Sequence, residues 1–202
     1  MSTILGIGTA HKICSLALIR DGSVLRGSDR DMARGHAEHL VPMIADLVDD
    51  DRPDGIVVEC GPGSFTGIRV GIAAARALAY AWAVPLRGVS SMALLAARAS
   101  AGAGEDDIAC LLDGGRGEVF VQHWRAGVPS DEIVAVATGD VSLAAAAATG
   151  TGLPLVALPE AVSSLDTAPP SLSDLPEVAP ALLTTDAAPI YVRPPDAKPP
   201  AP

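Results

Sequence analysis

Positive charge is scarce in this chain: 14 Lys and Arg stand against 24 Asp and Glu, for a formal net charge of −10 and a pI near 4.7. A surface of that sign repels phosphate. The chain alone is therefore a poor nucleic-acid binder, and any work on RNA is expected to fall to a partner. Cysteine is also scarce: Cys14, Cys60 and Cys110 are scattered, and each lies inside or at the end of an apolar run. That pattern suits reduced core thiols rather than a disulfide framework or a zinc site. No long apolar run suits a membrane span. The longest, about 72–84, is broken by Arg76, follows a glycine-rich turn and stops at Pro85. Met1-Ser2-Thr3 enters an apolar segment without a basic leader or a small-residue cleavage site, so a cytosolic protein is expected.

What remains has a globular balance. Hydrophobic residues make up 49% of the 202 and charged ones 19%, enough to build a sizeable core. Apolar runs at 4–10, 13–20 and 24–27, the last two joined by Asp21-Gly22, predict an antiparallel three-stranded meander. Leu40, Ile44, Leu47 and Val48 recur at helical spacing and predict a helix over 38–49. Pro42 is tolerable in a first turn, which places the helix start close to His39. A buried strand is expected at 55–60, a long helix from 67 to 82, a strand at 85–89, and a helix to Ala99 capped by Ser91. Three strands, helix, strand, helix, strand is the order of a ribonuclease H-like half-domain. A Gly/Asp-rich break at 101–107 sets off a second hairpin, 108–113 and 118–125. Beyond Thr138 the pattern weakens to an Ala-rich stretch, a Pro/Ser-rich connection and a short helix over 177–183. The expected organisation is an N-terminal subdomain over 1–100, a smaller one over 101–193, and an extended, mobile tail over 194–202 with five prolines.

The segment Gly61-Pro62-Gly63-Ser64-Phe65-Thr66-Gly67 lies between a strand and a helix, where backbone amides and the helix dipole can hold an anion. Gly61, Gly63, Ser64, Thr66 and Gly67 are thus candidates for an anion or nucleotide contact, with a tight structural turn as the alternative. More specific readings fail on spelling. Gly67 is followed by Ile68 where a P-loop needs lysine, and Ser64 lacks the flanking glycines of a nucleophile elbow. In the helix that follows, Gly67, Gly71, Ala75 and Ala79 form a stripe of small residues, and the only charges are Arg69 and Arg76. A helix so apolar is normally covered on more than one side, so a partner is expected on it in addition to its own sheet. His36 and His39 lack a third ligand at a recognisable spacing, so they are read as structural or interfacial and no metal is expected.

Gly61 to Arg69, spelled Gly-Pro-Gly-Ser-Phe-Thr-Gly-Ile-Arg, closely resembles the signature of the TsaB family. His36, Glu38, Leu40 and Pro42, the hairpin from Asp113 to Phe120, and Pro189-Ile190-Tyr191-Val192-Arg193 resemble further family segments in order along the chain. The resemblance implies an α/β, actin/sugar-kinase-like (ribonuclease H-like) fold with two subdomains. It also implies a non-catalytic dimerisation subunit for the catalytic TsaD, acting with the ATPase TsaE to form N6-threonylcarbamoyladenosine in tRNA beside the anticodon. A homodimer is expected when the chain is alone, with tRNA reached only through the complex and no membrane. The resemblance implies that family relatives pair through these two helices, 39–49 and 67–82. His36, His39, Leu40, Met43, Ile44, Leu47, Arg69, Val70, Ala73, Ala74, Arg76 and Ala77 are therefore the expected partner interface, with Arg69 and Arg76 at its rim. No tightly bound cofactor is expected, and ATP is placed, if anywhere, at the interface of the complex. One departure stands out: the family's first strand ends in aspartate-threonine-serine, and here Gly8-Thr9-Ala10 lacks the carboxylate. Two other classes stay open, a stand-alone small-molecule kinase or ATPase of this fold, and an acidic self-associating module without an RNA link.

Overall fold

The structure is a computed structural model that describes residues 2–32 and 35–193. Its first sheet is built from β1 (Thr3–Gly8), β2 (Ile13–Arg20), β3 (Ser23–Asp31), β4 (Gly55–Glu59) and β5 (Leu86–Val89), in the order β3-β2-β1-β4-β5. β1, β2 and β3 pair antiparallel, while β4 and β5 run parallel to β1. This is the mixed α/β topology of ribonuclease H-like and actin/sugar-kinase-like folds. Asp21 and Gly22 turn β2 into β3 with positive φ at both positions, as an Asp-Gly hairpin requires.

Strand alternation then divides the sheet between two cores. Leu5, Ile7, Leu16, Leu18, Ile56 and Val58 face α1 (His36–Val48) and α2 (Phe65–Trp82). Ala17, Ile19 and Val57 face the other way, with α3 (Ser91–Ala103). α3 lies between the first sheet and a second one, whose residues Ile108, Cys110, Leu112, Phe120 and Trp124 share its core. The second sheet holds β6 (Asp107–Gly115), β7 (Glu118–Arg125), β8 (Val128–Pro129), β9 (Val134–Ala137), β10 (Ala147–Thr149) and β11 (Ser163–Ser164). After β11 the chain returns to the first sheet. Leu172, fully buried, covers Gly6 and Gly8, and burial of such a side chain contributes about 2–3 kcal/mol.

Several local expectations are corrected. α1 begins at His36, so Pro42 sits in the second turn. Pro42 and Glu38, whose carbonyl loses a helical partner to the proline, are both exposed, so water can replace the missing amide. Ser90, not Ser91, caps α3 by accepting from the Met92 amide, and the helix continues to Ala103 before Gly104 ends it with φ 65°. The expected helix over 177–183 is instead two 3-10 turns, Leu172–Glu177 and Pro180–Leu182, because Pro176 and Pro180 each remove an amide that a longer helix would need. The Pro-rich stretch 194–202 lies outside the described residues.

Candidate functional site

Two surfaces meet at the N-terminus of α2. The first is a cleft of about 1520 Å³ between the loop 62–67, the β1–β2 turn, the β6–β7 turn and the segment 190–193. The loop's glycines are explained mainly by packing. A Cβ on Gly63 would run into the Ala10 carbonyl, one on Gly67 into the Thr9 carbonyl, and one on Gly71 would lie 2.5 Å from Thr9 Oγ1. The Thr9 hydroxyl donates to the Gly67 carbonyl (2.7 Å), and the Ser64 amide donates to the Ala10 carbonyl (2.7 Å). Ser64 Oγ accepts from the Gly67 amide at 3.3 Å and caps the helix. Two amides of the proposed anion cradle are therefore already engaged within the chain. Gly63, Ser64, Thr66 and Gly67 do line the cleft, and buried Gly61 lies behind it, its carbonyl accepting from the Ser91 amide at 2.8 Å.

Beneath the loop sits Glu59, 3% exposed. Its Oε1 accepts from Ser91 Oγ at 2.7 Å, its Oε2 accepts from the Ala10 amide at 3.4 Å, and His11 Nε2 lies 3.2 Å from Oε1, off the hydrogen-bond line. A Cβ on Gly8 would collide with Leu172 and lie 2.9 Å from Glu59 Oε2. An acidic side chain at the end of β1 would have to displace Leu172 and would stand against the carboxylate of β4. Among the described residues no group of three or more His, Cys, Asp or Glu is placed to hold a metal ion. The three cysteines are free and buried. Burial pushes the thiols of Cys14 and Cys60 up to about 11 and that of Cys110 higher still, so none is a ready nucleophile.

The second surface is the outer side of α1 and α2. Leu40, Met43, Ile44 and Leu47 do not reach it: they are buried in the chain's own core, because the apolar stripe of α1 packs on β2 and against α2. The small-residue stripe of α2 likewise faces its own sheet, with Gly67, Gly71, Ala75 and Ala79 all buried. Val70 and Ala74 are half-buried against the same core. Exposed are Arg69, Ala73, Arg76 and Ala77, and also Val41 and Tyr80, whose helices were expected at the interface although they were not themselves singled out. Tyr80 is 90% exposed and Val41 55%. His36 lines the cleft and His39 is exposed. The C-terminal segment walls one flank of this face. Arg69 Nε donates to the Tyr191 hydroxyl at 2.9 Å, its guanidinium stacks 3.7 Å above Phe65, and Phe65 packs on Tyr191. Arg76 donates to the Ala187 carbonyl at 3.2 Å. Phe65 and Tyr191 lacked a periodic signal, since neither lies on a core face.

The family model for TsaD, tRNA N6-adenosine threonylcarbamoyltransferase, matches residues 30–169. A YeaZ structure from Pseudomonas aeruginosa superimposes with a TM-score of 0.78 at 27% identity, covering 95% of this chain and 100% of that one. The tRNA threonylcarbamoyladenosine biosynthesis protein TsaB of Escherichia coli is 34% identical over 127 residues, 60% of this chain and 54% of that protein. This chain belongs to the TsaB (YeaZ) family. An uncharacterized protein of Mycobacterium tuberculosis is 33% identical over 211 residues, 98% of this chain and 95% of its own length, a likeness that runs through both sheets. Among the described residues no helix is long and apolar enough to cross a membrane.

Proposed function

We propose that this chain is a non-catalytic partner subunit in the formation of N6-threonylcarbamoyladenosine in tRNA, docking a TsaD-like catalytic subunit through the outer face of α1 and α2. Family membership supports the pathway, and the α1/α2 face supports the mode. On that face Val41, Ala73, Ala77 and Tyr80 leave apolar surface exposed on two adjacent helices, the kind of patch that marks an association site. A TsaE-like ATPase acts in the same complex, tRNA is reached only through it, and the chain self-associates through this face when no partner is present. The acidic balance of the chain agrees with leaving RNA contact to the partner.

The test is association. The full-length chain and a TsaD-like subunit are mixed, and complex formation is followed by sedimentation, with product formed on tRNA as the second readout. Ala77→Glu places a charge on the exposed face without entering the core; Ala74, half-buried, would confound docking with folding. The variant is expected to keep its circular dichroism and lose association at least tenfold, since burying an unpaired charge costs several kcal/mol. Wild-type affinity in the variant would mean that docking uses another surface. Product formation by the chain without a TsaD-like subunit would overturn the non-catalytic reading.

A further inference from the structure

The segment 190–193 does more than wall the interface. At one end it is fastened to the first sheet, where the Ile190 amide donates to the Cys60 carbonyl at 2.8 Å and the Tyr191 hydroxyl accepts from Arg69 on α2. Two residues later Arg193 reaches the second sheet. Its Nη1 donates to Glu118 Oε2 at 2.7 Å, its Nη2 donates to the Gly114 carbonyl, and its guanidinium lies 5.3 Å from the centre of the Phe120 ring. The segment therefore bridges the exposed face of α2 and the β6–β7 turn along the wall of the cleft.

The tip of that turn is open on two of its residues. Gly115, Arg116 and Gly117 have φ of 69°, 60° and 75° in succession, and side chains at Gly115 and Gly117 would meet nothing within 4 Å. Further tethers include three from the second sheet and its connections: Asp113 Oδ1 accepts from the Gly115 amide at 2.8 Å, the Asp113 amide donates to Thr151 Oγ1 at 3.1 Å, and the Gly117 carbonyl accepts from the Thr138 amide at 2.9 Å. Arg193 is a tether that refers the turn to the first sheet, through Tyr191 and Arg69.

We propose that Tyr191 and Arg193 are positioning residues that couple docking on α2 to the placement of the 114–117 turn over the cleft. A partner seated on the α2 face fixes Arg69, Arg69 fixes Tyr191, and the two-residue step to Arg193 sets the turn. The segment thereby transmits partner binding to the far wall of the cleft. This rests on the docking function proposed above.

The full-length chain is assayed with its TsaD-like subunit as wild type, Arg193→Ala and Tyr191→Phe, reading affinity, rate of tRNA modification, and hydrogen exchange of amides 114–117. Arg193→Ala is expected to bind within about threefold of wild type yet lower the rate about tenfold, the usual scale of coupling between sites. The slowing of exchange at 114–117 that association brings in wild type should be absent in this variant. Tyr191→Phe keeps the stack on Phe65 and removes only the bond from Arg69, so a smaller change in the same direction is expected. Wild-type rate and exchange in both variants would overturn the coupling while leaving the docking function intact. Equal loss of affinity and rate in Arg193→Ala would also overturn it, by making Arg193 a docking residue. Failure of the wild-type pair to associate would remove the docking function itself and the coupling with it.

Discussion

A side chain at Gly63 or Gly67 would enter the backbone of Thr9 and Ala10, whereas one at Gly115 or Gly117 would meet nothing within 4 Å. Both glycine-rich stretches face the same cleft, and in sequence they look alike. In the 61–67 loop, Gly63 and Gly67 bring two pieces of backbone closer than any Cβ permits, and the result is a rigid joint between the β1–β2 turn and α2. In the β6–β7 turn glycine supplies positive φ at Gly115 and Gly117, and the result is an open connection steadied from outside. Glycine content alone does not separate a fixed wall from an adjustable one. The distance to the nearest backbone does.

The comparison can be broken at either end. The largest effect is expected for Gly67→Ala, whose new methyl group collides with the Thr9 carbonyl. Because a backbone atom is in the way, a loss of about 3 kcal/mol or more is expected, read as a lower urea midpoint. A loss under about 1 kcal/mol would show that the β1–β2 turn can slide off α2. A middle effect belongs to Glu59→Ala, which strips the acceptor from the Ser91 hydroxyl and the Ala10 amide under the same loop. About 2 kcal/mol should be lost, and Glu59→Gln should lose less, because the amide keeps a carbonyl acceptor. The smallest effect is expected at Gly117→Ala. There is space for the methyl group but φ is 75°, so a strain of about 1 kcal/mol is expected. Gly117→Asn should do better than Gly117→Ala, since asparagine tolerates the left-handed region more readily. Equal losses at Gly67 and Gly117 would erase the distinction.

Much of the first sheet was legible in the sequence because it is built from local signals. Asp21-Gly22 marks a hairpin, continuous apolar runs mark the buried strands, and the helical spacing of Leu40, Ile44 and Leu47 marks α1. Assigning Leu40, Met43, Ile44 and Leu47 to the interface came from the family resemblance, which names the helices that pair without saying which of their faces does so; here the chain buries that face itself. The α2 stripe shows the same ambiguity, its glycines and alanines having been taken up by Thr9 and the sheet. Other features had no local signature at all. Leu172 covers Gly6 and Gly8 from more than 160 positions away, and Tyr191 and Arg193 act through Arg69 and Glu118, pairings that no spacing rule reports. Gly8 was legible as a missing carboxylate. Its physical complement is the buried carboxylate of Glu59, which stands beside it because β4 lies against β1 in register, whereas Asp113, the other acid that could have taken over there, lies in the second sheet.

The covering of Gly6 and Gly8 by Leu172 also bears on the order of events at the ribosome. Every strand of the first sheet has been synthesised once Val89 has emerged, yet one face of that sheet stays unfinished until the turn beginning at Leu172 arrives. At about 5–20 residues per second, the nascent chain carries an open crevice at the end of β1 for roughly ten seconds. During that interval Gly6, Gly8 and the apolar residues on the same face are available to other chains, so completion of the first half of the molecule is bound to the synthesis of the second.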